Sequence, residues 1–335
     1  MITFLEVEDS WEEKYLRGNF HTADEVRYFK ETAQKLKSEI TEARVLSVFI
    51  KSKIDKKLIT SLPNLKIITT RSTGFDHIDL AAAKERGIVV SNVPVYGENT
   101  VAEHTFALIL SLARNLRKSY LRTVQNNFSI EGLMGFDLKG KTLGVVGTGH
   151  IGLHVIRMGI GFEMKVIAFD VKMQKTLSEK MNFEYVSFEE LLKKSDIISL
   201  HVPDLPSTHH LINDQTIRLI KRGAVLINTA RGGLVETGAL VKALDEKILS
   251  GAGLDVLEDE EYILEDKRLL ENSGDEKYWS KLQTTVQNQS LLHRENVIFT
   301  PHLAFYSREA VQKILNTTAE NISAFLSGQP LNKVN

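Results

Sequence analysis

Two parallel-sheet domains of the α/β class are what this sequence predicts, and three observations predict them. Short apolar runs alternate with helical patterns along the chain. The alternation pauses at a long apolar segment, Thr100–Leu121, and then starts afresh. At 335 residues the chain is too long for one small core and suits two domains.

The first series offers strands at Ile2–Val7, Val45–Ile50, Leu65–Thr70 and Ile88–Val93. Helical patterns lie between them, such as Asp79–Arg86, which Gly87 ends. Thr100–Leu121 carries no turn signal and reads as one long, largely buried helix linking the domains. The second series offers Thr142–Val146, Lys165–Asp170, Asp196–Leu200, Ala224–Asn228, Gly253–Val256 and Val297–Thr300. Six strands with helices between them suit a doubly wound nucleotide fold. Tyr262–Glu295 is a polar insertion without a clear period and reads as an irregular excursion near a site. Ser307–Leu326 is one more helical pattern.

Composition narrows the function classes. With 42% hydrophobic and 25% charged residues, this is an ordinary soluble globular chain. A formal net charge of -1 leaves no electrostatic footprint for nucleic acid, so no nucleic-acid partner is expected. The apolar runs are too short to span a bilayer, and MITFLEVEDSWEEK has no basic start, so neither a membrane span nor a signal peptide is expected. The absence of cysteine removes disulfides, thiolate nucleophiles and Cys-ligated zinc, and an intracellular, cytoplasmic protein is the simplest expectation.

The stretch VVGTGHIG, Val145–Gly152, stands between the strand pattern Thr142–Val146 and a helical pattern from Ile151. Gly147 permits the tight turn, Gly149 lets a pyrophosphate approach the backbone, and Gly152 lets helix and strand pack closely. The helix start supplies amides and positive potential for phosphates. The next strand ends at Asp170, where an acid for ribose hydroxyls is expected. Its charge would repel a 2′-phosphate, which favours NAD over NADP.

Ligands of an open parallel sheet bind beyond the carboxyl ends of its strands. That rule selects Asp170, His201-Val202-Pro203, Thr229-Ala230-Arg231, Asp255 and Pro301-His302. Hydride transfer to a ketone needs a general acid, usually His near neutral pH, and Arg231 could clamp a substrate carboxylate with its planar fork, with Gly232 and Gly233 leaving it open space. His201 and His302 both follow apolar strands, and residue physics leaves the choice between them open. A carboxylate beside the acid is expected, and LEDEEY, Leu257–Tyr262, supplies four acids. His209-His210 are sequence neighbours with no apparent partner ligand, so no metal site is expected.

The stretches RSTGFDHIDL, NVPVYGENTVAEHT, GVVGTGHIG, ISLHVPDLPSTHHLIN, INTARGGLVET, GAGLDVLEDE and TPHLAFYS resemble the D-isomer-specific 2-hydroxyacid dehydrogenases over nearly the whole chain. The insertion before TPH and the phrase PHLAFYS point to the D-lactate dehydrogenase branch. The resemblance implies a Rossmann NAD domain, residues 100–302, inserted into a flavodoxin-like substrate domain, residues 1–99 and 303–335, with the substrate in the cleft between them. It implies NADH-dependent, reversible reduction of pyruvate to D-lactate, with His302 as acid, Glu260 as its partner and Arg231 as clamp. It places His150, Ile151, Val202, Pro203, Thr208, Thr229, Ala230 and Asp255 around NAD. Amides of Thr73 and Gly74 would meet the substrate carboxylate, and Tyr96 and Phe305 would bound the side-chain pocket. It also implies a homodimer built on the helix from Thr100. A proline commonly follows the acidic partner in this family, whereas Glu261 and Tyr262 follow here. The alternatives are another D-2-hydroxy acid, such as glycerate, 2-hydroxyisocaproate or a phosphorylated acid, or an NAD-sensing protein without activity, since the fold also serves transcriptional corepressors.

Overall fold

The structure is a computed structural model that describes the chain except Glu8, Ala23, Lys37 and residues 261–275. The chain divides into two compact units, Met1–Gly97 with Tyr306–Asn335, and Glu98–Phe305. The second is therefore an insertion in the sequence of the first.

The first unit carries strands β1 (Ile2–Phe4), β2 (Val26–Tyr28), β3 (Val45–Val48), β4 (Ile67–Thr70) and β5 (Val89–Ser91). Their order is β2-β1-β3-β4-β5 and every pairing is parallel, the flavodoxin-like arrangement. Every residue of β1, β3 and β4 is buried, as a sheet covered on both faces requires. Edge strand β2 is an addition to the four strands expected; Val26-Arg27-Tyr28 is short, and none of its residues is fully buried, so no apolar run announces it. The Asp79 carboxylate accepts from the Ala82 amide at 2.9 Å and caps the expected helix, Leu80–Glu85. Ser307 caps Arg308–Leu326 in the same way through the Ala310 amide, at 3.2 Å.

The second unit carries β6 (Thr142–Val146), β7 (Lys165–Phe169), β8 (Glu184–Tyr185), β9 (Ile197–Leu200), β10 (Ala224–Asn228), β11 (Leu249–Leu254) and β12 (Val297–Phe299). They lie in the order β12-β11-β10-β9-β6-β7-β8, again all parallel. Read from the other edge this is the doubly wound Rossmann order, β8-β7-β6-β9-β10-β11, with one further edge strand, β12; the two-residue β8 is not among the six strands expected. Alternate residues feed two cores: Val225 and Ile227 point into one, Ala224 and Leu226 into the other. β11 begins four residues earlier than Gly253, the expected start. The small residues Gly251-Ala252-Gly253 carry no apolar strand signal, so the expected strand begins late. They are small because a helix crosses them closely: a Cβ at Gly253 would lie 3.0 Å from the Leu108 Cβ.

That helix, Glu98–Ala113, is the first half of the expected single helix. The chain breaks at Asn115, which is left-handed at φ 49°, and resumes as Leu116–Val124. The Asn115 side chain donates to the Leu133 and Met134 carbonyls, a local alternative to helix that asparagine favours. The first half is largely buried, but the second half has no buried residue. Within the expected irregular insertion, residues 261–275 lie outside the described residues, and Glu276–Leu292 is a helix. Its buried face includes Thr285, Asn288 and Leu291, while Val286 and Trp279 are exposed. Polar residues on the inner face erase the apolar period that would have announced it. Among the described residues, no helix is long and apolar enough to cross a membrane.

Candidate active site

Beyond Val146, at the carboxyl end of β6, the backbone turns at Gly147, φ +96°, where a side chain would also strike the His201 carbonyl oxygen, 2.5 Å from the Cβ position. The helix His150–Gly161 starts at once, and a Cβ at Gly152 would lie 2.0 Å from the Gly147 carbonyl oxygen. Gly149 differs: its Cβ would meet no protein atom within 4 Å, so packing leaves that position open to a visitor. Gly149 is also the helix N-cap and makes no side-chain cap bond, so the helix start keeps its positive end for an anion. His150 and Ile151 form its first exposed and half-exposed positions.

Asp170 follows β7 and ties the turn to the next strand. Its Oδ2 accepts from the Thr148 amide at 2.7 Å and hydroxyl at 2.9 Å; its Oδ1 accepts from the Lys172 amide at 2.8 Å. Burial alone would push the carboxyl up, but these donors outweigh it and hold Asp170 below the usual range, ionised. Tyr185 of β8 adds its hydroxyl to Thr148 at 2.9 Å. Sequence reasoning missed this residue, although buried Phe183 and Val186 bracket it. The open Gly149, the free helix start and the fixed, ionised Asp170 fit a dinucleotide with unphosphorylated ribose.

At the far side of the sheet, Asp255 follows β11 and is 1% exposed. Its carboxylate accepts from the Thr300 hydroxyl and the Leu303 and Ala304 amides, and its carbonyl accepts from the His302 amide at 2.8 Å. Burial pushes the carboxyl up while these donors and nearby His104 pull it down. His104, to which sequence reasoning gave no role, reaches Thr300 at 2.9 Å. Its only sequence signal is a polar residue in an apolar helix. This loop holds His302 at φ 53°, a conformation a non-glycine residue adopts only under constraint. His302 Nδ1 meets Glu260 Oε1 at 2.8 Å, leaving Nε2 for other work. Of the acids in LEDEEY, Glu258 goes elsewhere, to His210 and Thr237.

His201 makes a different contact. Its Nε2 lies 2.7 Å from the Ser199 hydroxyl, and desolvation pushes its pKa from 6.5 down to about 3. It is neutral at neutral pH. Arg231 is half-exposed and donates to the Ala230 carbonyl at 2.7 Å. Gly232 and Gly233, expected to leave it space, answer instead to close packing: Cβ atoms there would lie 2.1 Å from the Leu257 carbonyl and from Asp204 Oδ2. Thr229 is buried against the Thr105 hydroxyl at 2.9 Å, and Thr208 closes the loop after Val202-Pro203 by donating to the Pro203 carbonyl at 2.6 Å. Two cavities, lined for example by Leu112 and Ile298 and by Met164 and Phe183, flank the opposite, amino ends of the strands.

In the first unit, the RSTGF turn follows β4. Buried Arg71 anchors it to the Ser47 hydroxyl and to the Leu5 and Glu6 carbonyls. Asn92 donates to the Thr73 carbonyl at 2.8 Å, which turns the Gly74 amide the opposite way. Tyr96 ends near the boundary of this unit and Phe305 closes the second; both are partly buried.

A sheet rim of this kind, with its open glycine turn and ionised acid after the next strand, defines a dinucleotide-binding protein of the doubly wound class. Residues 106–304 match the family model described as D-isomer specific 2-hydroxyacid dehydrogenase, NAD binding domain. The glyoxylate reductase of Thermococcus litoralis is 37% identical over 308 residues, 90% of this chain and 86% of that protein. The D-lactate dehydrogenase of Escherichia coli is 39% identical over 267 residues, 79% of this chain and 77% of that protein. The crystal structure of D-lactate dehydrogenase from Aquifex aeolicus complexed with NAD and lactic acid superposes with a TM-score of 0.84 at 38% identity, covering 98% of this chain and 96% of that one. The chain belongs to the D-isomer-specific 2-hydroxyacid dehydrogenases, and its cofactor is NAD.

Proposed function

We propose that this chain is a D-lactate dehydrogenase, which reduces pyruvate reversibly to D-lactate with NADH. The observation that carries the dehydrogenase reading is the His302–Glu260 pair, 2.8 Å apart, on a loop anchored by Asp255 in a chain of this family, and similarity to D-lactate dehydrogenases supports the choice of lactate. When bound, NADH supplies the hydride that the carbonyl carbon accepts. Glu260 holds Nδ1, which fixes the orientation of the ring and leaves Nε2 to give a proton to the carbonyl oxygen. Arg231 offers its fork to the substrate carboxylate. Asp255 acts as a positioning residue, because its carboxylate folds the loop that presents His302.

Gly147, Gly149, His150, Ile151 and Gly152 cradle the pyrophosphate, and Asp170 receives the ribose hydroxyls. Val202, Pro203, Thr208, Thr229 and Ala230 line the rest of the cofactor's path. The relatives named above support the substrate class. Glyoxylate is the second reading, favoured by the 37% identity to a glyoxylate reductase. The enzyme is read as a cytoplasmic homodimer. The dimer is supported by an exposed apolar run in which Phe128, Ile130 and Met134 are 75%, 85% and 93% exposed.

Replacing His302 with Gln tests the mechanism. Turnover of pyruvate should fall by about a hundredfold or more, while NADH binding, followed by fluorescence, stays nearly intact. Undiminished turnover in that variant would remove His302 from the chemistry.

A further inference from the structure

Two segments of the second unit meet on a second cluster of side chains. His209 and His210 stack their rings with centroids 4.1 Å apart. Glu258, distant in sequence, brings its Oε1 to 2.6 Å from His210 Nε2. One ligand atom from each of the three lies within 4.8 Å of the other two. Ligands about 2.1 Å from a tetrahedral ion sit roughly 3.4 Å apart, so small movements would close this set around one.

The cluster is built in advance. Glu258 Oε2 accepts from the Thr237 amide at 3.1 Å and hydroxyl at 3.0 Å, which leaves Oε1 facing His210. The Glu258 carbonyl is held by Asn288 of the helix Glu276–Leu292 at 2.8 Å. His210 is left-handed at φ 49° and its amide donates to the Gly233 carbonyl at 2.8 Å, so its backbone is fixed. His209 Nδ1 lies 3.1 Å from Asp204 Oδ1, the carboxylate–histidine arrangement that orients metal-bound imidazoles. A Cβ at Gly233 would lie 2.1 Å from Asp204 Oδ2 and 3.1 Å from His209 Nδ1, so glycine there permits the close assembly. Two imidazoles and one carboxylate with an open fourth position suit a borderline-soft divalent ion.

We propose that His209, His210 and Glu258 form a binding site for a zinc-class divalent cation, with Asp204 orienting His209. The ion would staple the loop 204–210 to the segment 257–260. This inference is independent of which acid the enzyme reduces.

The test is calorimetric titration of the full-length protein, stripped of metal, with Zn²⁺. One ion per chain should bind, and binding should raise the melting temperature. H209A and H210A should each weaken binding at least tenfold, and D204N about tenfold. NADH binding by these variants serves as the folding check. Absence of saturable binding would overturn the proposal. So would a Zn²⁺ affinity unchanged in the H209A/H210A double variant.

Discussion

His201 and His302 look alike in the sequence, each a histidine just past an apolar strand. Their surroundings separate them. His302 sits beside Glu260, while His201 is desolvated and pushed down to about 3. The shift has a measurable sign. Between the ordinary 6.5 and about 3, the unfolded chain binds a proton at His201 that the folded chain refuses. Stability contributed by the neutral ring is therefore full above 6.5 and is lost as pH falls through that window, by up to about 1.4 kcal/mol per pH unit. Replacing His201 with Asn should flatten the dependence of the urea midpoint on pH between about pH 6 and pH 4. Equal slopes in the two proteins would mean that His201 titrates normally. The sequence could not make this distinction, because desolvation depends on what packs around the ring. It did mark both candidates, and the family resemblance named Glu260 among neighbouring acids. Glu258 meeting His210, 48 residues away, left no trace in local spacing.

At the scale of elements, glycines in one motif have separable duties. Gly152 is required by protein packing, since its Cβ would lie 2.0 Å from the Gly147 carbonyl, and Gly149 is not. Gly149→Ala should fold with little change in melting temperature yet weaken NADH binding about tenfold, because the added methyl occupies ligand space. Gly152→Ala should cost about 1–3 kcal/mol or more in denaturant unfolding. Equal loss of stability in both would show that Gly149 also serves packing. Strands with long apolar runs were legible, as were helices that start at Asp79 and Ser307. Elements defined by tertiary contact were not. The first four residues of β11 are disguised by the glycines that let a helix cross it, and Glu276–Leu292 by the polar Thr285 and Asn288 on its buried face. The break at Asn115 was legible only as a single asparagine, which helices tolerate without breaking.

The whole molecule comprises two units, one inserted in the sequence of the other. The break at Asn115 has a consequence at this scale. It directs Leu116, Tyr120 and Val124 to an exposed helix, continuous in sequence with Phe128, Ile130 and Met134. Sedimentation equilibrium should report a dimer for the native chain. Charged replacements at Phe128, Ile130 and Met134 should yield a folded monomer; a native monomer, or an unchanged dimer in the variant, would remove that surface from the interface. The most direct test of the central claim is NADH oxidation by the purified native protein against pyruvate, glyoxylate and bulkier 2-oxo acids, with the product's handedness determined. The account predicts fastest turnover with pyruvate and formation of D-lactate. Preference for glyoxylate or a bulkier acid would contradict the lactate assignment, and absence of turnover with every acid, despite tight NADH binding, would contradict the enzyme itself.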